Sequence, residues 1–282
     1  MSEQWTNYGL LSDVTIPSSE ALKVLAPTTG ASAEVAPKGW GIGFYQSSSA
    51  YVIRKATTSL TNDRLHKMAE TISSRAYVAH VRRPTVGEIK DSNTQPYRHG
   101  VWLCTHQGTI ERFRRIKPII TRTLAPRYRE EIRGTTDSEY CLYLFLTYLK
   151  GSGYLKRGDV PLENALLALQ KLGQSISAWS DEVNAEKPWG GNFIITNGRY
   201  MLATRRCAPV FYRQQADIPQ VLPLAEQNAK SPDVASLPPG KAILVASHPL
   251  DDQPWTEVPE NQILLIDTDL STRTEPFIPM TP

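Results

Sequence analysis

Residues 75–87 read RAYVAHVRRPTVG, and this stretch is the best guide to the fold. Its alternating β-favouring residues predict a strand that ends at Pro84, because proline cannot donate to a strand ladder. A glycine-rich hairpin is predicted before it, over residues 39–54, and a further strand after it, over residues 101–106. The first part of the chain is therefore predicted to be mainly β-structure.

Helices are predicted in the middle of the chain and strands again after it. Helical spacing of apolar residues marks 60–74, 110–117, 122–133, 137–149 and 161–179, with Pro118 and Pro126 expected to break the two short helices. Asn197-Gly198 predicts a hairpin between strands 192–196 and 199–204. Later strands are predicted over 242–247 and 262–267, and residues 214–239 are interpreted as a long loop. This order predicts an α+β layered domain, not a parallel βαβ repeat.

Composition and charge narrow the class of protein. The chain has 282 residues, and Lys+Arg 31 against Asp+Glu 28 gives a net charge of +3, too small to indicate a nucleic-acid-binding protein. The three cysteines share no CxxC spacing, so neither a disulfide framework nor a zinc site is expected. The N-terminal residues resemble no secretory signal, and no apolar run reaches the length of a membrane span. We therefore expect a cytoplasmic protein.

Five short motifs follow one another along the chain. They are KGWGIGFYQ at 38–46, AHVRRPTVG at 79–87, NTQPY at 93–97, THQG at 105–108 and GTTDSE at 134–139. This ordered set resembles the class II glutamine amidotransferases, and is most similar to their compact stand-alone bacterial type. The resemblance implies an N-terminal nucleophile (Ntn) hydrolase fold, a four-layer α/β/β/α sandwich of two antiparallel sheets in one domain over residues 1–282. Neither a cofactor nor a metal site is expected.

The resemblance also implies roles for individual residues. Arg82 would bind the α-carboxylate of glutamine, within the same motif as Thr85, and Asp137 would hold the α-ammonium group. A planar guanidinium suits a carboxylate because it donates two parallel hydrogen bonds. Gln107 and Gly108 occupy the family's oxyanion-hole positions, where a side-chain amide and a backbone N–H stabilise the developing charge.

The nucleophile of the family is an N-terminal cysteine whose own α-amino group acts as the general base. Here residues 1–3 read MSE, so Ser2 is the candidate nucleophile if removal of Met1 exposes its amine. Aligning the early aromatic residues instead places Glu3 at the cysteine position. No cysteine precedes Cys104.

Three further positions depart from the family pattern. Lys38 stands in place of an aspartate, Gln95 in place of a histidine and Gln107 in place of an asparagine. The extra methylene of Gln107 is expected to displace its amide, since an oxyanion donor must lie about 3 Å from the developing charge. Together with the missing cysteine, these changes favour a degenerate catalytic site. We expect a protein that binds glutamine or a γ-glutamyl compound, or one that is a non-catalytic subunit of a partner enzyme.

Two alternatives remain open. The first is an active amidohydrolase or acyltransferase that uses Ser2 as its nucleophile. The second is a binding module that presents the basic segment 111–133, where eight basic residues stand against three acidic ones. A solvated helix face is the commoner explanation of such a segment, so nucleic acid is not the expected partner. His80 and His106 lack the neighbours of a metal site and are interpreted as structural histidines.

Overall fold

The computed structural model describes residues 7–19, 38–57, 71–82, 87–151, 159–218, 221 and 238–278. In chain order its strands are β1 (Asn7–Pro17), β2 (Trp40–Gln46), β3 (Ser49–Lys55), β4 (Ser73–Val81), β5 (Tyr97–His99), β6 (Trp102–Gln107), β7 (Asn192–Thr196), β8 (Met201–Arg205), β9 (Phe211–Ile218), β10 (Gly240–Ala246), β11 (Thr256–Glu257), β12 (Gln262–Ile266) and β13 (Thr272–Pro276). The helices are α1 (Phe113–Thr123), α2 (Pro126–Glu131), α3 (Asp137–Gly151) and α4 (Leu162–Glu182).

The strands form two antiparallel sheets. One has seven strands in the order β11-β9-β10-β1-β4-β2-β3, and the other has six in the order β13-β12-β8-β7-β6-β5. In the first sheet Asn7 pairs with His80 across β1 and β4, and in the second Gln107 pairs with Asn192 across β6 and β7. The Asn7 side chain donates to Asn192 O at 3.4 Å, so the start of β1, the end of β4 and the end of β6 lie at the same end of the molecule.

The two sheets pack face to face through an apolar cluster. Because successive residues of a strand point to opposite faces, Leu11 and Val78 of the first sheet meet Leu103 and Ile194 of the second. Gly9 of the first sheet faces the second sheet closely, since a Cβ there would lie 2.7 Å from the sulfur of Met201 and 2.9 Å from Ile194 Cγ2. A larger residue at position 9 would therefore force these side chains to move.

The helices cover the outer face of the six-stranded sheet. Helix α3 is buried along almost its whole length, since it packs against the sheet and against α4 in the largest apolar cluster. No helix in the described ranges is long and apolar enough to cross a bilayer.

The predicted break at Pro118 is wrong, because α1 continues through this residue to Thr123. A proline removes the hydrogen bond to the carbonyl four residues earlier, here that of Arg114. Both residues are exposed, so water can bind that carbonyl and the helix tolerates the loss. The expected break at Pro126 is confirmed, with proline as the first residue of α2.

The predicted α+β class and the two antiparallel sheets are confirmed. The outer face of the seven-stranded sheet carries its own buried cluster, which includes Tyr8, Trp40 and Tyr77. The fourth layer, predicted on that face, falls outside the described residues, as does most of the helix predicted over 60–74. The long loop predicted from residue 214 is wrong at its start, because β9 extends to Ile218 and pairs with β10.

Candidate functional site

One end of the space between the sheets is polar where the rest is apolar. Asn7, His80, Thr105 and Gln107 occupy inward positions there, in register with the apolar residues of the inter-sheet cluster. Each has a buried polar atom without a hydrogen-bond partner in the described structure: Asn7 Oδ1, His80 Nδ1, Thr105 Oγ1 and Gln107 Oε1. A buried unpaired polar atom costs about 1–3 kcal/mol, so packing alone does not account for this group.

Gln107 ends strand β6 beside the start of β1. Its side chain and those of Asn7 and Ser247 line a narrow void that has no space for a water-sized molecule. The buried Gln107 atom is the amide oxygen, which accepts hydrogen bonds. An oxyanion requires a donor, and this oxygen cannot be one, so any contact of Gln107 with an oxyanion would come from its NH₂ group.

Gly108 has a backbone conformation that favours glycine, with φ +144°. A Cβ at this position would lie 2.4 Å from the carbonyl carbon and oxygen of Gly190. The two backbones are therefore in direct contact, and the position of Gly190 constrains that of Gly108.

Arg82 follows β4, and its side chain is 4% exposed. Its backbone N–H donates to Gly39 O at 2.7 Å, and its carbonyl accepts from Lys38 N at 2.8 Å, so the segment before β2 holds it in place. Its guanidinium donates to the carbonyl oxygens of Glu88 at 3.1 Å and of Gly87 at 3.4 Å. Burial lowers the pKa of Arg82. The two other predicted site residues, Thr85 and Ser2, lie outside the described residues.

Asp137 is the first residue of α3, and it is 3% exposed. Its Oδ2 accepts the backbone N–H of Ile110 at 2.9 Å, and its Oδ1 accepts that of Ser138 at 2.9 Å. The carboxylate therefore has a fixed orientation between the loop after Gly108 and the start of the helix.

Gly87 contacts Arg82 and also lies against a residue close to Asp137. Its carbonyl accepts from Arg82, and a Cβ on it would lie 3.0 Å from Thr135 Oγ1, two residues before Asp137. Gly87 and Ile110, which contacts the Asp137 carboxylate, line the same cleft of about 520 Å³. Arg82 and Asp137 thus each hydrogen-bond a residue that lines this cleft, and neither of them lines it directly.

A hydrogen-bonded group behind the cleft was not anticipated from the sequence. The Gln95 side chain accepts the backbone N–H of His106 and donates to its carbonyl at 2.9 Å. The His106 ring contacts Ser138 Oγ at 3.0 Å through Nδ1 and Gly190 O at 2.9 Å through Nε2. It also stacks on Phe193 with ring centroids 4.3 Å apart. These contacts occur between segments distant in sequence, so only the NTQPY and THQG motifs could have indicated them.

Burial keeps both histidines of this region neutral. It lowers the pKa of His106, against the opposing effect of the Asp137 carboxylate. It also lowers the pKa of His80 to about 3, and the charge of Arg82 contributes in the same direction. Across the described ranges, no group of three or more His, Cys, Asp or Glu side chains is arranged to hold a metal ion.

The basic segment 111–133 is partly occupied by contacts within the fold. Hydrogen bonds to carbonyl oxygens, an ion pair or cation–π contacts engage Arg112, Lys117, Arg127 and Arg129. Arg114 and Arg115 are exposed and line the cleft beside Gly87. Much of this segment's charge therefore serves local structure, and its predicted role as a binding surface stays a prediction.

Comparison with known proteins agrees with the motifs. A family model described as "Glutamine amidotransferases class-II" matches residues 8–275. The Saccharomyces cerevisiae protein named "Probable glutamine amidotransferase DUG3" is 27% identical over 256 residues, covering 81% of this chain and 69% of that protein. A Mycobacterium tuberculosis γ-glutamyl-hercynylcysteine sulfoxide hydrolase is 35% identical over 75 residues, which cover 26% of this chain and 32% of the hydrolase.

Solved structures show the same fold at low sequence identity. A glutamine aminotransferase class-II domain protein from Silicibacter pomeroyi has a TM-score of 0.62 at 17% identity, with 97% of this chain and 100% of that chain covered. Glutamine phosphoribosylpyrophosphate amidotransferase from B. subtilis has a TM-score of 0.57 at 14% identity, with 96% of this chain and 49% of that chain covered. The predicted family resemblance and Ntn-type fold are confirmed.

Proposed function

Since the chain belongs to the class II glutamine amidotransferases, we propose that it binds glutamine or a γ-glutamyl compound in the cleft between Arg82 and Asp137, and that its catalytic site is degenerate. The observation that carries the binding proposal is the position of Gly87. This residue accepts a hydrogen bond from Arg82 and lines the cleft with Ile110, the residue bound by Asp137.

The chemistry of the two side chains suits the two ends of an amino-acid backbone. The guanidinium of Arg82 is a planar cation whose N–H donors match the two oxygens of a carboxylate. A carboxylate has about four lone-pair sites, so Asp137 retains acceptors for an ammonium group. Because both are buried, their hydrogen bonds to a ligand form in surroundings of low dielectric constant and are stronger than at an exposed surface.

The position of the Gln107 amide supports the proposal of a degenerate site. Its oxygen is buried without a partner, beside a void that has no space for a water-sized molecule, and the extra methylene of glutamine would shift the amide from the place that an asparagine amide takes in the family. With a hydroxyl in place of the family's thiol at Ser2, two parts of the catalytic apparatus would be weakened together. The protein would then hold the γ-glutamyl group without turning it over efficiently, alone or as a non-catalytic subunit of a partner enzyme.

Slow hydrolysis by Ser2 is the second candidate function. It is favoured by the likeness to a protein named as a γ-glutamyl hydrolase, since hydrolysis of such a bond is one of the reactions that this fold supports. In that reaction the Ser2 oxygen would attack the γ-carbonyl, the amine would leave with a proton, and water would then release glutamate. Intact mass determination and an assay of ammonia release from glutamine, in wild type and Ser2→Ala, separate the two candidates.

Binding itself is tested by thermal unfolding with and without glutamine. We expect glutamine to raise the Tm of the wild type, because a ligand that binds only the folded state stabilises it. Arg82→Ala is expected to abolish this shift. Arg122→Ala, which removes an exposed arginine from α1, is the matched control and should retain it. A wild type without a shift at saturating glutamine and γ-glutamyl compounds would contradict the proposal.

A further inference from the structure

The imidazole of His106 connects two segments that are distant in sequence, the start of α3 and the loop before β7. On one side Nδ1 meets the hydroxyl of Ser138, which follows Asp137 in α3. On the other side Nε2 meets the carbonyl of Gly190, whose backbone lies against Gly108. A single buried ring therefore links Ser138, the neighbour of the residue proposed to hold the α-ammonium group, with Gly190, which lies against the glycine at the oxyanion position.

The partners of the ring define its protonation. A carbonyl oxygen only accepts, so Nε2 carries the hydrogen and donates to Gly190 O. In the neutral ring Nδ1 is then an acceptor, and the Ser138 hydroxyl donates to it. The same hydroxyl lies farther, 3.3 Å, from Asp137 Oδ1. With its one hydrogen directed to His106, Ser138 still accepts the 3.4 Å contact from Gln95 Nε2.

The ring is also held rigidly. Phe193 stacks on one face at an interplanar angle of 13°, and Gln95 fixes the backbone of residue 106 from the side. His106 is 2% exposed, so no solvent enters to replace these contacts. A ring that cannot tilt or slide keeps Ser138 and Gly190 at a constant separation.

We propose that His106 is a positioning residue that sets the distance between the α-ammonium end and the amide end of the cleft, and so selects γ-glutamyl over β-aspartyl compounds. This inference rests on the proposed binding of glutamine. Glutamine and asparagine differ by one methylene in the segment between these two ends. A rigid site distinguishes ligands that differ by one methylene by about 10-fold to 200-fold, whereas a site free to adjust does not.

Two substitutions of His106 each retain only one of the two hydrogen bonds of the ring. His106→Asn keeps an acceptor near the position of Nδ1 for Ser138 and lacks the donor to Gly190. His106→Gln keeps a donor near the position of Nε2 for Gly190 and lacks the acceptor for Ser138. Each therefore interrupts the link at a different side, and Ser138→Ala interrupts it without changing the ring.

The test compares the affinities for glutamine and asparagine by calorimetry. We expect the wild type to favour glutamine by at least about tenfold, and the ratio to fall several-fold in all three variants while glutamine still binds. His99→Gln is the matched control, because His99 pairs with Glu131 outside the cleft, and it should keep the wild-type ratio. If His106 had only a structural role, its substitution would lower the affinities for glutamine and asparagine equally.

The outcomes that overturn the inference differ from those that overturn the proposed function. An unchanged ratio in the three variants, with glutamine still bound, would refute the role of His106 and leave the binding proposal intact. A wild type that binds neither ligand would refute both. For variants that do not fold, ¹⁵N NMR of wild-type histidines gives an independent result: the Nε2–H tautomer of His106 is expected, and the Nδ1–H tautomer would contradict the link.

Discussion

Gly108 and Gly190 touch through their backbones at the edge of the cleft. A Cβ added to Gly190 would lie 2.8 Å from Gly108 Cα, and one added to Gly108 would lie 2.4 Å from the Gly190 carbonyl. The N–H of Gly190 also donates to Thr109 O at 3.0 Å. The loop after β6 and the loop before β7 therefore form one unit, in which neither glycine has room for a side chain.

Alanine at position 108 tests this contact. Gly108→Ala introduces both a steric clash and an unfavourable φ, and we expect it to lower the free energy of unfolding by at least about 1–3 kcal/mol. Chemical denaturation measures the change. Gly151→Ala is the control, since nothing lies within 4 Å of a Cβ there and no positive φ is involved. Equal stability of the two variants would show that the loops are free to separate.

The pairing of Gln95 with His106 predicts an unusual result for a substitution toward the family residue. Gln95→His replaces a carboxamide, whose donor and acceptor lie side by side, with a ring whose two nitrogens do not match one residue's N–H and C=O. We expect a loss of about 1–3 kcal/mol, because two buried backbone groups lose their partner.

Thermal or chemical denaturation measures this loss, with the exposed Gln253→His as the control. A variant as stable as the wild type would mean that water or another side chain satisfies the His106 backbone in place of Gln95.

The buried His80 predicts a dependence of stability on pH. Its pKa is about 3 in the folded state against 6.5 in the unfolded state, so the unfolded chain binds the extra proton between these values. The contribution of His80 to the free energy of unfolding is therefore fully present above pH 6.5. It is lost as the pH falls toward 3, by on the order of 1 kcal/mol per pH unit.

Denaturant titrations at a series of pH values compare wild type with His80→Gln. Other acid-sensitive groups affect both proteins, so the difference between the two curves isolates His80. We expect the wild type to lose more stability than the variant between pH 6.5 and 4.5. Parallel curves would show that the imidazole is hydrated in the folded protein.

Asp137→Asn tests the second side of the cleft. Asparagine keeps one acceptor oxygen, but its NH₂ group accepts no hydrogen bond. The substitution therefore leaves the backbone N–H of either Ile110 or Ser138 without its partner. It also removes the charge proposed to attract an α-ammonium group. We expect the affinity for glutamine to fall more than about tenfold, as for the loss of a buried charged hydrogen bond.

Calorimetry measures that affinity, and Asp159→Asn provides the control because Asp159 forms an exposed ion pair with Arg199. Retention of glutamine binding by Asp137→Asn would place the α-ammonium group elsewhere.

The sequence predicted those parts of the fold that have a strong local pattern. The β-favouring residues of β4 and β6 and the Asn197-Gly198 turn identified their strands, because β4 and β6 are short apolar segments buried on both faces. The polar strand β9 was missed in part, since its residues from Gln214 are mostly exposed and its pairing with β10 defines it.

The candidate site was predictable where a motif carries it and not where contacts between distant segments do. Arg82 and Asp137 were predicted from their motifs. In the structure each hydrogen-bonds a residue that lines the cleft, Gly87 and Ile110, and their binding roles stay predictions. The hydrogen bonds that His106 forms with Ser138 and with Gly190 join three segments of the chain. No local spacing encodes such a contact, so His106 was identified only as a structural histidine.

Calorimetric titration of glutamine into the wild type and Arg82→Ala tests the central claim most directly. We expect saturable binding at one site per chain for the wild type and a loss of at least about tenfold in affinity for the variant, since a buried guanidinium–carboxylate contact is removed. Equal binding by both folded proteins, or no binding of glutamine by the wild type, would contradict it.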